Sequence, residues 1–430
     1  MKRKKEDLDS FFAPSSIAII GASPDEKKVG GILLKKAIES KAEIIPVNPK
    51  HESISGKKCY SNVLDYKKEI NLAIIAVPAE FVPNVLKDCG KKEIRNAIII
   101  SSGFSEVGSK KAAEELINIA KKYSIRFIGT NCFGICNPSL NLDLTFSASM
   151  PNKGDVAFIS QSGALWSYIS DFSLSAKGKL GFSSFVSLGN MDDLGFNEFI
   201  EYFSHDSKAK SIVLYIEKLK EGRQFIEICR RLFKKKKIFA VKGGSSLVGM
   251  KAEFSHTASL ASQYEIYKGA FRQAKVELCE DLIIAFEKAS GNKLMNKNNK
   301  ILKIGKKAFI ITNAGGAGVL LSDYLSKKGF FIIENPLDIL GTASAKDYFS
   351  AFNSTKNKNY DSLIVILTPQ SMSEIKETAE SLISFQKSAR KKVIALFLGG
   401  NKVKESEIIF KKSGIPCFST LEDARDSLEF

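Results

Sequence analysis

The sequence predicts an α/β protein made of three successive units, each a parallel sheet covered by helices. Three observations predict it. Short, near-continuous apolar runs rich in β-branched residues alternate with amphipathic helical stretches, the pattern of strands buried on both faces. The alternation restarts twice along the 430 residues. Each restart opens in the same way, with a strand, a turn of small residues and a helix. At roughly 100–200 residues per domain the length suits two to four domains, and the restarts resolve this into three.

The first unit, residues 1–150, opens with a predicted strand Ser16–Ile20, the turn Gly21-Ala22-Ser23 and a helix over Val29–Ser40. Strands are predicted at Glu43–Val47, Leu72–Val77, Ala97–Ser101 and Arg126–Ile128, with helices at Ala79–Cys89 and Lys110–Tyr123 between them. This is a Rossmann-like order. The second unit, residues 151–295, restarts with Asp155–Ile159, the turn Ser160-Gln161-Ser162-Gly163 and a helix over Ala164–Ser175. Its later strands are Phe185–Leu188, Ser211–Ile216 and Ile238–Val241, and one helical stretch, Tyr264–Ala289, closes it. A polar linker, Ser290–Lys293, leads to the third unit, residues 296–430, which is flavodoxin-like. It opens with Ala308–Thr312, the turn Asn313-Ala314-Gly315-Gly316-Ala317-Gly318 and a helix over Val319–Lys328.

Composition narrows the function classes. A hydrophobic fraction of 44% with 26% charged residues is ordinary for a globular chain and excludes a disordered chain or a coiled-coil rod. No apolar run reaches the ~18 residues that span a bilayer, so no membrane association is expected. The start, Met1–Asp9, is basic with no apolar stretch behind it, unlike a secretory signal. Seven cysteines, an odd number in a long chain, point to a reducing compartment and hence the cytoplasm. Cys132 and Cys136 lack a second pair of ligands nearby, and a zinc site needs about four. No metal site is expected. The 64 Lys and Arg outnumber the 47 Asp and Glu, giving +17, but the lysines are dispersed and not interleaved with aromatics. That argues against nucleic acid and leaves two readings, lysine-rich solvated faces or a small polyanion as ligand.

A helix N-terminus carries free N–H groups and about half a positive charge, so each of the three glycine turns is a candidate anion site. The first does not fit a dinucleotide. That fingerprint needs G-x-G-x-x-G and an acidic residue closing the second strand. Here the turn runs from Gly21 to Gly31, and the second strand ends Pro46-Val47-Asn48-Pro49-Lys50 without a carboxylate. Lys27, Lys28 and Lys50 supply cations instead, which suits a nucleotide with extra phosphates better than NAD. Of three histidines, His51 and His205 are expected to be exposed. His256 lies in a long stretch of small residues after a strand, where an imidazole can act as a nucleophile near neutral pH.

Around that histidine the sequence resembles a family. Ser255-His256-Thr257-Ala258-Ser259, followed by Ala270-Phe271-Arg272-Gln273-Ala274, resembles the phosphohistidine region of nucleoside-diphosphate-forming acyl-CoA synthetases. ADP-forming acetyl-CoA synthetase and succinyl-CoA synthetase belong to that superfamily. Further matching stretches occur in the same order, among them Ile20–Ser23, Pro46–Lys50, Ala76–Ala79, Ser101–Phe104, Gly129–Gly134, Ile159–Ala164, Ser187–Asn190 and Tyr215–Glu217. The ordered set covers residues 10–430 and is similar to the α subunit of an ADP-forming acetyl-CoA synthetase.

The resemblance implies roles. Coenzyme A would bind at Gly21, Ala22, Ser23, Lys28, Lys50, Val77, Pro78, Ser101, Ser102 and Gly103. Phosphate and the acyl group would meet Asn131, Cys132, Ser160, Gln161, Ser162 and Gly163, with Cys132 a packing residue and not a nucleophile. His256 would carry the phosphoryl group and Glu217 would orient its imidazole. Phosphate would attack the acyl-CoA thioester, and the acyl phosphate would phosphorylate His256, which would then deliver the group to ADP. With all three units assigned, no segment remains for the ATP-grasp module that holds ATP or ADP with Mg²⁺. That implies a separate β subunit and an assembly of two α and two β chains. The other reading of the same fold is a non-catalytic CoA-binding or regulatory protein. Two departures stand out: Thr130 where the family commonly has proline, and Ala258 and Ser262 where it usually has glycine.

Overall fold

The computed structural model describes residues 8–246, 249, 264–295, 300–389 and 391–430. Among the described residues there are two two-stranded sheets, Ser53–Ile54 with Lys57–Lys58 and Leu302–Lys303 with Leu428–Glu429, and three large ones. The first has five parallel strands in the order Glu43–Val47, Ser16–Ile20, Leu72–Ile75, Asn96–Ile99, Arg126–Gly129. The second has seven, in the order Glu277–Leu278, Lys237–Lys242, Ser211–Ile216, Lys153–Ser160, Phe182–Ser187, Gly134–Asn137, Leu142–Thr145. The third runs Phe331–Ile332, Lys307–Thr312, Ser362–Leu367, Lys392–Phe397, Cys417–Phe418, with Leu337–Asp338 also pairing on Lys307–Thr312.

Side chains alternate across a strand with period two, and here each alternate set enters a different core. Ala18 and Ile20 pack with Leu86 and Leu116, whereas Ile17 and Ile19 pack with Leu33 and Leu34. In the second sheet Ala157 and Ile159 join that same Leu33 cluster, while Val156 and Phe158 turn to the opposite side. There they meet Leu320, Ile364 and Ile366 of the third sheet and its helix. Leu363 and Val365 face outward to Phe352 and Leu382. Among the described residues the sheets therefore alternate with four apolar layers, and the second sheet lies in the middle. Its core is aromatic: Trp166 stacks on Phe185 with centroids 4.1 Å apart and planes 1° from parallel.

Two features depart from the sequence expectation. The stretch Tyr264–Ala289 is two helices, Tyr264–Ala274 and Leu282–Ser290, separated by the strand Glu277–Leu278. Lys275, at φ 59°, turns the chain out of the first helix, and the Asp281 side chain caps the second by accepting the Ile284 N–H at 2.7 Å. The apolar spacing of both helices merges into one pattern, which is why they read as one. The second feature is a hairpin, Gly134–Asn137 and Leu142–Thr145, which pairs antiparallel and extends the second sheet. Its strands are four residues each, too short for a clear period. Lys36 on helix Val29–Ile38 reaches it through a largely buried ion pair with Asp143 at 2.7 Å. Among the described residues no helix is long and apolar enough to cross a membrane.

Candidate functional site

The carboxyl ends of the first three strands of the first sheet border a cleft of about 630 Å³. It lies where the strand order switches direction, the usual ligand position in an open α/β sheet. Gly21 is its pivot. At φ +92° it occupies backbone space that favours glycine, and a Cβ there would fall 2.3 Å from the Ala76 carbonyl oxygen. Its N–H donates to the Val47 carbonyl at 3.0 Å, so the turn is clamped to both neighbouring strand ends. Asn48 adds a cross-tie, its Nδ2 donating to the Ala22 carbonyl at 2.7 Å. Helix Val29–Ile38 begins directly on this turn, since a Cβ at Gly30 would sit 1.9 Å from the Gly21 oxygen. No side chain caps its first N–H groups, so they remain available to a ligand.

Of the residues assigned to coenzyme A by resemblance, Gly21, Ser23, Lys28, Lys50, Val77 and Pro78 line this cleft. Ala22, Ser101, Ser102 and Gly103 do not, and neither does Lys27. Ser101 instead braces the wall, its hydroxyl donating to the Val77 carbonyl at 2.5 Å. The Gly103 N–H is taken by the Glu106 carboxylate. His51, expected to be exposed, is half-buried and lines the cleft. His205 is exposed but ends helix Phe196–His205 and is not in a loop.

The chain after the first sheet crosses to the second. Asn131 adopts φ +51° and its N–H donates to the Ser101 carbonyl at 2.9 Å. The Thr130 hydroxyl donates to Asp192 at 2.7 Å, and Asn190 Nδ2 donates to that hydroxyl oxygen at 2.8 Å. Cys132 is buried, and loss of solvation pushes its thiol up to about 12. Its Sγ is 3.3 Å from the Ile99 carbonyl. A thiol held protonated in this way is a poor nucleophile.

The second turn leads into helix Ala164–Ser175, and the third into helix Gly315–Lys327; neither helix has a side-chain cap. Their N-termini meet. A Cβ on Gly316 would lie 2.5 Å from the Ser162 hydroxyl. Two positive helix ends in contact repel each other unless an anion lies between them. Gly163 is equally constrained, since its Cβ would fall 2.3 Å from that of Phe133. Ser160 is fully buried, and its hydroxyl donates to the Ser162 carbonyl at 2.7 Å, bracing the turn.

Gln161 connects the turn to the next strand. Its Oε1 accepts the N–H groups of Glu217 and Lys218, each at 2.7 Å. Glu217 is only 2% exposed, although lysines follow it closely in sequence. Its Oε1 is buried and has no hydrogen-bond partner among the described residues. A buried carboxylate oxygen left bare is costly, on the order of 1–3 kcal/mol, so this position calls for a donor. His256 lies outside the described residues, as do Ala258 and Ser262. Sequence reasoning missed Lys242, which is buried at the end of strand Lys237–Lys242, opposite Ile216, with its ammonium 4.8 Å from the Tyr267 ring centre. A lysine closing an apolar strand just before Gly243-Gly244 was the available signal.

Comparison with known proteins gives two family-model matches: a CoA binding domain over residues 15–138 and a succinyl-CoA ligase like flavodoxin domain over residues 153–290. The α subunit of Pyrococcus furiosus acetate–CoA ligase (ADP-forming) II is 38% identical, covering 97% of this chain and 95% of the relative. The acetate–CoA ligase (ADP-forming) of Methanocaldococcus jannaschii is 41% identical over 98% of this chain, but only 62% of that longer relative is matched. Among solved structures, dinucleotide forming acetyl-coenzyme A synthetase 1 of Ca. Korarchaeum cryptofilum, in complex with phosphate and ADP, superposes with a TM-score of 0.64. It is 31% identical, covering 98% of this chain and 95% of that one.

Proposed function

Because the chain belongs to the family of ADP-forming acetate–CoA ligase α subunits, we propose that it is the α subunit of an ADP-forming acyl-CoA synthetase. It interconverts acyl-CoA, phosphate and ADP with the free acid, CoA and ATP. The observation that carries the reading is the contact of two uncapped helix N-termini at Ser162 and Gly316, beside the buried, half-unpartnered Glu217.

The cleft of the first sheet fits the anionic end of coenzyme A. Gly21 lets the backbone approach phosphate closely, the first turn of helix Val29–Ile38 offers N–H groups, and Lys28 and Lys50 add charge. The apolar wall at Val77, Pro78 and Phe81 suits the less polar parts of the ligand. The thioester end then lies toward Asn131, and phosphate lies between the two helix ends. Those ends stabilise charge as a phosphate oxygen attacks the thioester carbonyl and the thiolate leaves. An imidazole nitrogen of His256 next displaces the carboxylate from phosphorus. Glu217 accepts a hydrogen bond from the N–H of the other ring nitrogen, which fixes the tautomer and stabilises the cationic phosphoimidazole. Cys132 serves packing.

The nucleotide step belongs to a partner chain. The unmatched part of the longer M. jannaschii relative corresponds, in this reading, to a separate ATP-grasp β subunit that holds ADP and Mg²⁺. We place the protein in the cytoplasm as two α and two β chains. The test is labelling of the full chain with acetyl-CoA and radioactive phosphate. The expected result is acid-labile, base-stable label that disappears in His256→Asn. A protein that binds CoA but takes no label is a regulator of the same fold, and retention of label in His256→Asn overturns the histidine assignment.

A further inference from the structure

The chain leaves strand Lys237–Lys242 through Gly243-Gly244-Ser245-Ser246, the segment that leads toward His256. Its exit is held by one residue of the third unit. Asp323, on helix Gly315–Lys327, is 1% exposed. Its Oδ2 accepts the Ser245 N–H at 2.8 Å, and its Oδ1 accepts the Ser246 N–H at 2.8 Å and the Ser246 hydroxyl at 2.7 Å. The Ser246 oxygen in turn accepts the Gly249 N–H at 2.9 Å. The fit leaves no spare room, because a Cβ on Gly249 would lie 1.9 Å from Asp323 Oδ1.

Just before this clasp the same segment passes between the two units. A Cβ on Gly243 would fall 2.5 Å from the Tyr215 hydroxyl and 3.3 Å from Val319 of the same helix. Tyr215 Oη also donates to the Gly316 carbonyl at 3.4 Å. One helix therefore carries two things: the N-terminus that abuts Ser162 and, two turns further on, the carboxylate that fixes the exit of the chain.

We infer that Asp323 is the positioning residue that ties the exit of the His256 segment to the helix whose N-terminus faces the phosphate. The inference rests on the function proposed above. Charge-assisted hydrogen bonds to two successive N–H groups set both the position and the direction of the departing backbone. Gly249 precedes His256 by seven residues, so chain length alone limits the His256 Cα to at most about 25 Å from this fixed point. With the clasp released, the tether is counted from the end of the strand, and the bound roughly doubles to about 50 Å. Asp323 thereby shortens the search of the imidazole for the acyl phosphate without touching any reacting atom.

The test separates two half-reactions in the full chain. Asp323→Asn keeps the shape but presents an amide N–H where an acceptor is needed. Phosphorolysis of acetyl-CoA to acetyl phosphate does not use His256, whereas its labelling by acetyl phosphate does. The expected result is an unchanged rate of phosphorolysis and an unchanged CoA Kd, with labelling of His256 slowed about 100-fold, the cost of misplacing a reacting group by about 1 Å. Ser246→Ala removes one of the three bonds to Asp323, together with the bond from the Gly249 N–H, but keeps both backbone bonds to the carboxylate, and is expected to give a smaller slowing in the same step alone. It also keeps the test available if Asp323→Asn does not fold. Normal labelling in both variants overturns the inference, as does an equal loss in both half-reactions. If the unaltered chain takes no label, the underlying functional reading fails instead.

Discussion

The cleft of the first sheet and the seam between the second and third sheets are built by opposite means. The cleft is made by strand ends close in sequence, clamped by backbone hydrogen bonds at Gly21, with its cations standing at an open surface. The seam is made by segments far apart, such as Tyr215 and Gly316, which lie 101 residues apart. Its polar groups, Ser162, Glu217 and Asp323, are all buried. The difference separates binding from chemistry. An open, locally built site can recognise a charged coenzyme and release it. A buried, long-range one places charge in a low-dielectric setting, where each interaction is worth more.

If this division holds, seam substitutions change phosphoryl transfer and cleft substitutions change coenzyme affinity. The largest effect is expected from Glu217→Gln, which keeps the shape and removes the charge. Label transfer to His256 should fall by about 10²–10³ while calorimetry finds the CoA Kd unaltered; a matching loss in affinity breaks the division. Gly21→Ala is next. It forces a Cβ to 2.3 Å from the Ala76 oxygen at φ +92°, at a cost of about 1–3 kcal/mol. CoA binding should weaken, with the label-transfer rate at saturating substrate preserved. Lys50→Ala should weaken CoA by about tenfold, or ~1.4 kcal/mol, and by less at high salt, because the side chain is exposed. An affinity that ignores both the substitution and the salt removes Lys50 from the site.

The smallest effect concerns the far end of the seam. Glu422 is buried beside Tyr168, whose hydroxyl donates to it at 3.0 Å. Burial, with Asp281 nearby, pushes its carboxyl up to about 8. The unfolded value is about 4.3. A folded value above the unfolded one contributes stability that is complete below about 4.3 and is lost as pH rises through about 8. The melting temperature should therefore fall across that window, and Glu422→Gln should flatten the fall. An identical slope in both proteins would separate Glu422 from the pH dependence. CoA affinity should not follow the same curve.

The same contrast explains what could be read from sequence. The glycine turns, the strand ends and the two restarts are local patterns, and the expected strands Ser16–Ile20, Glu43–Val47 and Ser211–Ile216 are present with those bounds. Glu217 could be placed at its strand end, but its burial was hidden by the lysines after it, whose charge suggests a solvated loop. Gly316 reads as a turn glycine in the sequence, whereas it lies in the first turn of helix Gly315–Lys327. Its contact with Ser162 depends on how two units stack, and no spacing in the chain encodes that directly. The helix break at Lys275 was masked by continuous apolar spacing, although Asp281 carried the capping signal.

The middle position of the second sheet has one more consequence. An outer sheet can open by exposing one apolar layer to water, but the middle sheet must expose two. Local opening is graded by such exposure. Amide hydrogens of Lys153–Ser160 and Ser211–Ile216 should thus be the last in the chain to exchange with deuterium. The strands that hold Glu217 and the Ser162 turn would then form the slowest-exchanging block, and the coenzyme cleft, on an outer sheet, would open independently of it.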